Sequence, residues 1–420
     1  MPINYKPEQP TLISYNDVIC VKNLQKGLDR TKSNVSPGLD GEIKKNITEK
    51  RLDSLHLELA SQKYKPKPAK RVPIPKPGGG IRYLGVSSQI DKVVQGALLE
   101  KLELIFENIF LDVSYGFRPG RGCHDALKKI KYGWKAISWV INIDIEKCFD
   151  KINHEILLEK LKPFCDQSTL ELIRKLLKVG YVDIHNLSDR NEYNVVGTPQ
   201  GSIISPILTN IFLHELDEFI VHKLLPKYNL GKSRSKNPDY SKMYSLTDLD
   251  KQIIEFYPSI KKSLLRVKHN NFVSGEKHSA MNLYDDNYRK MHYVRYADDF
   301  LIGFIGPHKE AQAISELISN FIHKLKLNVN QEKSKIFRGS DRSIKYLGMY
   351  LKCYNFNKIK WRKDGISTDE VEEQILALQA QAISNVQLRA PIDLMLKRLV
   401  NRGLAKKCKD GTVRGTAYIK

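Results

Sequence analysis

Hydrophobic and polar positions alternate with period two from Val140 to Ile145: Ile141, Ile143 and Ile145 fall on one side, Asn142 and Asp144 on the other. The alternation predicts a strand with Asp144 on its polar face. A hairpin is expected further on, where YVRY (Tyr293 to Tyr296) meets a turn at Ala297 and Asp298 and the chain resumes as DFLIGFIG from Asp299. Residues 197 to 216, GTPQGSIISPILTNIFLHEL, open with turn residues and run into an apolar segment that reads as a helix. Residues 62 to 85 hold prolines that favour extended backbone and, at Gly78 to Gly80, a flexible turn, so two short strands joined as a hairpin are expected. Residues 226 to 292 are polar and irregular and read as an insertion. Toward the end, Ser367 and Glu370 have capping-box spacing, and Val371, Ile375, Leu378 and Ala382 form one helical stripe. A second helix is bracketed by Pro391 and Gly403, with Ile392, Met395, Leu396, Leu399 and Val400 on one face.

Composition narrows the partners. The chain has 420 residues, 41% of them hydrophobic, which suits a folded protein of two or three domains. Lys and Arg outnumber Asp and Glu by 69 to 47, a net charge of +22, so a polyanion is the first partner to consider: nucleic acid, then an anionic membrane surface. The stretch from 62 to 85 carries Lys63, Lys65, Lys67, Lys70, Arg71, Lys76 and Arg82 without one acid. Residues 221 to 290 and 351 to 420 each hold 14 basic and 7 acidic residues. No run approaches the ~20 apolar residues of a membrane span, and the opening MPINYKPEQP lacks a signal-peptide core, so a soluble protein is expected. Six cysteines without a CxxC pair argue against a zinc site and a disulfide framework, and read as reduced, mostly buried thiols.

The candidate chemistry rests on Asp144 and the pair Asp298 and Asp299. Neighbouring carboxylates repel and are costly to bury unless they share a cation. Without convergent Cys or His, such a site suits a hard ion, Mg²⁺ first and Mn²⁺ second. Two ions ~4 Å apart would activate a hydroxyl and stabilise the leaving oxygen of a phosphoryl transfer. A DD pair in a turn is ordinarily just a solvated pair, and its company here decides otherwise.

In order along the chain stand SPGLDG (Ser36 to Gly41), IPKPGGGIRYLG (Ile74 to Gly85), YGFRPGRGCHDAL (Tyr115 to Leu127), Asp144, GTPQGSIISPILTNIFLHELD (Gly197 to Asp217), YADD (Tyr296 to Asp299), LNVNQEKSKI (Leu327 to Ile336) and KYLG (Lys345 to Gly348). With this series the chain resembles the reverse transcriptases encoded in group II introns, over roughly residues 30 to 350. Tyr83 and Ser202 depart from the common pattern, and neither supplies a catalytic atom. The resemblance implies an α+β right hand: an N-terminal fingers extension over 1–60, fingers and palm over 61–350 with the insertion at about 226–292, and an all-helical thumb or maturase segment over 351–420 that would continue past Lys420.

It implies roles as well. Asp144, Asp298 and Asp299, with the Ile145 carbonyl, would hold two metal ions. Lys76 and Arg82 would grip the incoming triphosphate. Phe149 would stand against the sugar and select dNTP over NTP, Gln200 would border the nucleotide, and Lys333 would approach the departing pyrophosphate. The implied function is RNA-templated DNA synthesis from a DNA primer together with binding of intron RNA to assist splicing and mobility. A splicing-only maturase and a free-standing bacterial reverse transcriptase are the alternatives. A viral-type RNA polymerase is disfavoured because Phe149 stands where it typically carries a second aspartate. Recurrent Lys, Ile and Asn suggest an A/T-rich genome, hence an organelle that encodes the protein, or else a bacterial cytoplasm.

Overall fold

The computed structural model describes residues 12–33, 36–75, 80–183, 197–198, 201–238, 248–263, 281–282, 285–339, 343–353, 386–401, 405–407 and 413–415. Short helices α1 (Tyr15–Ile19) and α2 (Val21–Asp29) precede α3 (Glu49–Ala60), whose start is capped by the Thr48 hydroxyl accepting from the Arg51 amide. The expected hairpin follows as β1 (Ala69–Pro75) and β2 (Ile81–Val86), antiparallel with Ile74 opposite Arg82. Ser88 caps α4 (Gln89–Ile109) by accepting from the Asp91 amide, and every residue of this helix from Gln89 to Leu98 is buried. A helix buried on all sides at its start is a spine rather than a surface element.

Next come α5 (Cys123–Gly133), β3 (Trp139–Asp144), α6 (Cys148–Lys151), α7 (His154–Leu161), α8 (Gln167–Lys178) and β4 (Tyr181–Asp183). The apolar segment after the GTPQG turn is α9 (Ser205–Phe219), with Pro206 in its first turn, prolonged by one π turn and α10 (Leu225–Tyr228). Within the polar interval, α11 spans Asp248–Phe256. The hairpin strands are β5 (Lys290–Tyr296) and β6 (Asp299–Ile305), so β5 starts three residues before Tyr293. Then follow α12 (His308–Lys324), β7 (Lys335–Arg338), β8 (Ile344–Tyr346), β9 (Met349–Cys353), β10 (Val386–Arg389) and α13 (Ile392–Asn401), with a last antiparallel pair, β11 (Ala405–Lys407) and β12 (Val413–Gly415).

Four antiparallel strands in the order β5-β6-β3-β7 carry the site. Side chains alternate across this sheet. Ile141, Ile143, Phe300, Ile302 and Tyr293 enter the large core with α4, α9 and α12, while Val140, Leu301, Ile305 and Val294 enter a second core with α5 and β8 to β10. The sheet is thus covered on both faces over most of its length, and the face of β3 that reads as polar is buried at Val140 and partly open at Asn142 and Asp144. A second sheet, β2-β1-β4, runs β4 parallel to β1 and holds the basic hairpin.

The all-helical segment expected beyond residue 351 is corrected. Val386–Arg389 is a strand that closes the edge of β9, with Val386 opposite Cys353 and 2% exposed in the second core. A four-residue piece gains more from an open strand edge and an apolar socket than from one helical turn, so a distant partner decides its state. The helix bracketed by Pro391 and Gly403 is present as α13, whereas the stripe from Val371 to Ala382 lies outside the described residues. Cys148, Cys165 and Cys353 are buried free thiols, Cys20 and Cys123 partly so. Among the described residues no helix is long and apolar enough to cross a membrane.

Candidate active site

Three aspartates meet at one end of the four-stranded sheet because strand pairing leaves them no other place. Asp144, the last residue of β3, is the register partner of Asp299, the first of β6. Tyr296 pairs with Asp299 across the hairpin, leaving Ala297 and Asp298 as a two-residue turn. Ala297 has φ +56, the left-handed region that suits glycine in tight hairpin turns and strains an alanine. Gly116 packs against that residue: a Cβ on it would lie 2.3 Å from the Ala297 nitrogen. The segment Tyr115-Gly116 is in turn held along β5, the Tyr115 amide donating to the Arg295 carbonyl at 2.9 Å.

Crowding of charge leaves its mark on the carboxyls. Asp298 has its pKa raised, first by burial and then by the charge of Asp144. Asp299 is open to solvent at the strand end yet walled by protein; loss of surrounding water, then the charges of Asp298 and Asp144, push its pKa up to about 7. Among the described residues, no three His, Cys, Asp or Glu side chains stand close enough together to hold a metal ion by themselves. The donor set nevertheless fits a hard divalent ion, since carboxylates whose charged forms are disfavoured by burial and by neighbouring carboxylates gain from a shared cation, and Mg²⁺ is commonly held by one or two carboxylates completed by substrate phosphates.

The loop from Asn328 to Ser334 runs beside Asp144. The Asn330 amide donates to the Asp144 carbonyl at 2.8 Å, and the Ser334 hydroxyl accepts from the Asp144 amide at 3.0 Å. Ile145 lies opposite Val329, flanked by the Asn330 bond and by a second in which the Glu146 amide donates to the Asn328 carbonyl at 2.8 Å, a pairing in which the Ile145 N–H and C=O point away from Val329. The same loop brings the Lys333 ammonium within 3.8 Å of an Asp144 oxygen, with the lysine 67% exposed.

Phe149 is half-buried on α6, and its carbonyl accepts from the Thr198 amide at 2.7 Å. The neighbouring Gly197 amide donates to the Ile152 carbonyl at 2.8 Å, and the His154 Nε2–H donates to the Gly197 carbonyl at 2.6 Å. A carbonyl can only accept, so the proton sits on Nε2 of a ring that burial keeps neutral by lowering its pKa. These bonds dock the start of GTPQG onto α6 and so bring Phe149 and that turn together. Gln200 and Lys76 lie outside the described residues, and for Arg82 only the backbone, on β2, is described.

Sequence reasoning missed the charged groups beneath the turn. Arg295, on β5, and Asp217, on α9, form an ion pair with both side chains fully buried. For Arg295 a signal was present, a charge between Tyr293-Val294 and Tyr296-Ala297, and buried charges come paired; Asp217, beside Glu215 and Glu218, carried none.

The family model described as "Reverse transcriptase (RNA-dependent DNA polymerase)" matches residues 74–233 and 276–351. The COX1/OXI3 intron 2 protein of Saccharomyces cerevisiae is 34% identical over 415 residues, covering 97% of this chain and 44% of that protein. The group II intron-encoded protein LtrA of Lactococcus lactis is 34% identical over 331 residues, covering 75% of this chain and 52% of its own length. The mitochondrial protein ymf11 of Marchantia polymorpha is 30% identical over 247 residues, covering 58% of this chain and 30% of its own. The chain therefore spans about half the length of such relatives, or less.

Proposed function

The chain belongs to the reverse transcriptase (RNA-dependent DNA polymerase) family, and from that premise we propose that it is the RNA-directed DNA polymerase of a group II intron, which also binds intron RNA to assist splicing and mobility. The observation that carries the reading is the trio Asp144, Asp298 and Asp299 at one sheet end, with the Asp298 and Asp299 carboxyls pushed upward by burial and by the charge of neighbouring aspartates. Groups so arranged are poised to take up divalent charge.

In this reading the four-stranded sheet is the palm, the β2-β1-β4 sheet belongs to the fingers, and residues from 351 onward begin the thumb. Asp144 and Asp298, with Asp299 and the Ile145 carbonyl, hold two Mg²⁺ ions. Bound there, Mg²⁺ (or Mn²⁺) lowers the pKa of the primer 3′-hydroxyl and neutralises charge building on the phosphates. Lys76 and Arg82 clamp the triphosphate of the incoming dNTP, and Lys333, free to leave Asp144 for a stronger anion, meets the pyrophosphate. Phe149 stands against the sugar, its position fixed by the bonds of its carbonyl to Thr198, and Gln200 borders the base. The partners are intron RNA as template, a DNA primer and dNTPs, without a membrane. Relatives named for a mitochondrion and others from bacteria suit an organelle that encodes the protein, with a bacterial cytoplasm as the alternative.

The test is primer extension on an RNA template with purified protein. Extension should require Mg²⁺ or Mn²⁺, and Asp298→Asn should lower the rate at least ~100-fold if charge stabilisation through the carboxylates is the main contribution. Near-normal extension by that variant would sink the assignment.

A further inference from the structure

Five hydrogen bonds beneath the active-site turn belong to one fully buried cluster that the roles above do not use. The Arg295 Nε donates to Asp217 Oδ1 at 2.7 Å and one terminal nitrogen donates to Asp217 Oδ2 at 2.5 Å. The other terminal nitrogen is divided between Asn210 Oδ1 at 3.0 Å and the Ala297 carbonyl at 2.8 Å. The Tyr293 hydroxyl adds a bond to Asp217 Oδ1 at 2.7 Å. Both charged side chains are 0% exposed.

A buried ion pair is a poor source of stability, since desolvation offsets most of its attraction and apolar residues of similar size often serve the fold as well. What this guanidinium does that an apolar residue could not is reach the Ala297 carbonyl. Ala297 is the strained residue of the turn, at φ +56, and a non-glycine residue keeps that conformation only where its surroundings over-determine it. Two contacts do so here: Arg295 on the carbonyl side and the bare Cα of Gly116 on the nitrogen side. Asn210 joins the two, since its Oδ1 accepts from Arg295 while its Nδ2 donates to the Gly116 carbonyl at 2.7 Å.

We propose that Arg295, oriented by Asp217 and Asn210, is a positioning residue for the active-site turn: it holds Ala297 in its left-handed conformation and thereby aims the Asp298 and Asp299 carboxylates at the cation they share. The planar fork is essential to this role, because it spans Asp217, Asn210 and Ala297 at once. A lysine in its place keeps the charge opposite Asp217 and cannot make all of those bonds. The role rests on the metal-dependent reading of the aspartates, and it is tested separately from polymerisation.

The test measures Mn²⁺ binding by electron paramagnetic resonance, in protein without nucleic acid, alongside thermal melting and primer extension. Arg295→Lys should fold and melt as a single transition, yet bind Mn²⁺ at least ~5-fold more weakly and need correspondingly more Mg²⁺ for extension, as expected when supporting groups of a metal site are lost. Adding Ala297→Gly to Arg295→Lys should restore much of the Mn²⁺ affinity, since glycine takes positive φ without strain. A general loss of folding would not be repaired by a more flexible turn. Wild-type Mn²⁺ affinity in Arg295→Lys overturns the proposal, as does a loss that Ala297→Gly leaves unchanged. If wild type binds Mn²⁺ and Arg295→Lys does not, but neither makes DNA, the positioning role stands and the polymerase reading falls.

Discussion

Asp299 titrates in a range that links the fold to its cation. Its folded pKa of about 7 lies well above the ordinary aspartate range, and loss of surrounding water is the first cause, the charges of Asp298 and Asp144 the next. An acid whose pKa rises on folding makes no contribution below its unfolded pKa, where both states are protonated, and increasingly destabilises the fold as pH climbs from there to the folded value. Above that value the cost is constant, and a bound cation relieves it. Mg²⁺ should therefore raise the melting temperature more at about pH 8 than at about pH 5, and Asp299→Asn should stabilise the metal-free protein more at the higher pH than at the lower. Equal gains from Mg²⁺ at both pH values would contradict this account. Phe149 offers a second reading at the same scale. Its carbonyl accepts from the Thr198 amide, a backbone bond that a valine keeps, so shrinking the half-buried ring to Val should leave folding intact. If the ring stands against the sugar, Phe149→Val should raise the rNTP to dNTP ratio of kcat/KM at least ~10-fold, about the value of one well-placed steric contact. An unchanged ratio would make Phe149 an ordinary packing residue.

Elements with strong local patterns were legible in the sequence, and those that depend on a distant partner were not. The alternation of Ile141, Ile143 and Ile145 gives β3, the turn at Ala297 and Asp298 gives the β5–β6 hairpin, and Pro391 marks the start of α13. The strand Val386–Arg389 has no such mark, because its state follows from the edge of β9 more than thirty residues earlier in the chain. The site divides in the same way. Asp144, Asp298 and Asp299 stand in recognisable motifs, and strand register alone brings Asp144 opposite Asp299. That Arg295 meets Asp217, 78 residues away, depends on how α9 lies against the sheet, which no local period encodes. The hairpin itself shows why such a pair matters: β5 and β6 deliver two adjacent carboxylates to a strained two-residue turn, and the elements around it, α9 through Asn210 and Asp217 and the Tyr115-Gly116 segment, hold that turn where isolated strands would let it relax.

For the molecule as a whole, the net charge is +22, and the sequence carries much of it outside the stretches that hold the three aspartates. Residues 221–290 and 351–420 each carry 14 basic against 7 acidic residues, and the interval between the two stretches of the family match, 234–275, falls inside the first of these. Basic stretches that lie outside the aspartate motifs in sequence suit contact with a folded RNA rather than with the reacting ends. Such contact should weaken steeply with salt, because phosphates paired with Lys and Arg release their counterions. It should also be independent of Asp298, since holding a folded RNA needs no phosphoryl transfer. Splicing of the cognate intron at low Mg²⁺ separates the possibilities when wild type is compared with Asp298→Asn and with a variant neutralised at Lys397, Arg398, Arg402, Lys406 and Lys407. If the protein assists splicing through its basic tail, wild type and Asp298→Asn should both promote the reaction and the neutralised variant should fail while keeping primer extension. Equal failure of all three, with extension intact in wild type, would leave a polymerase whose surplus charge serves only its template channel.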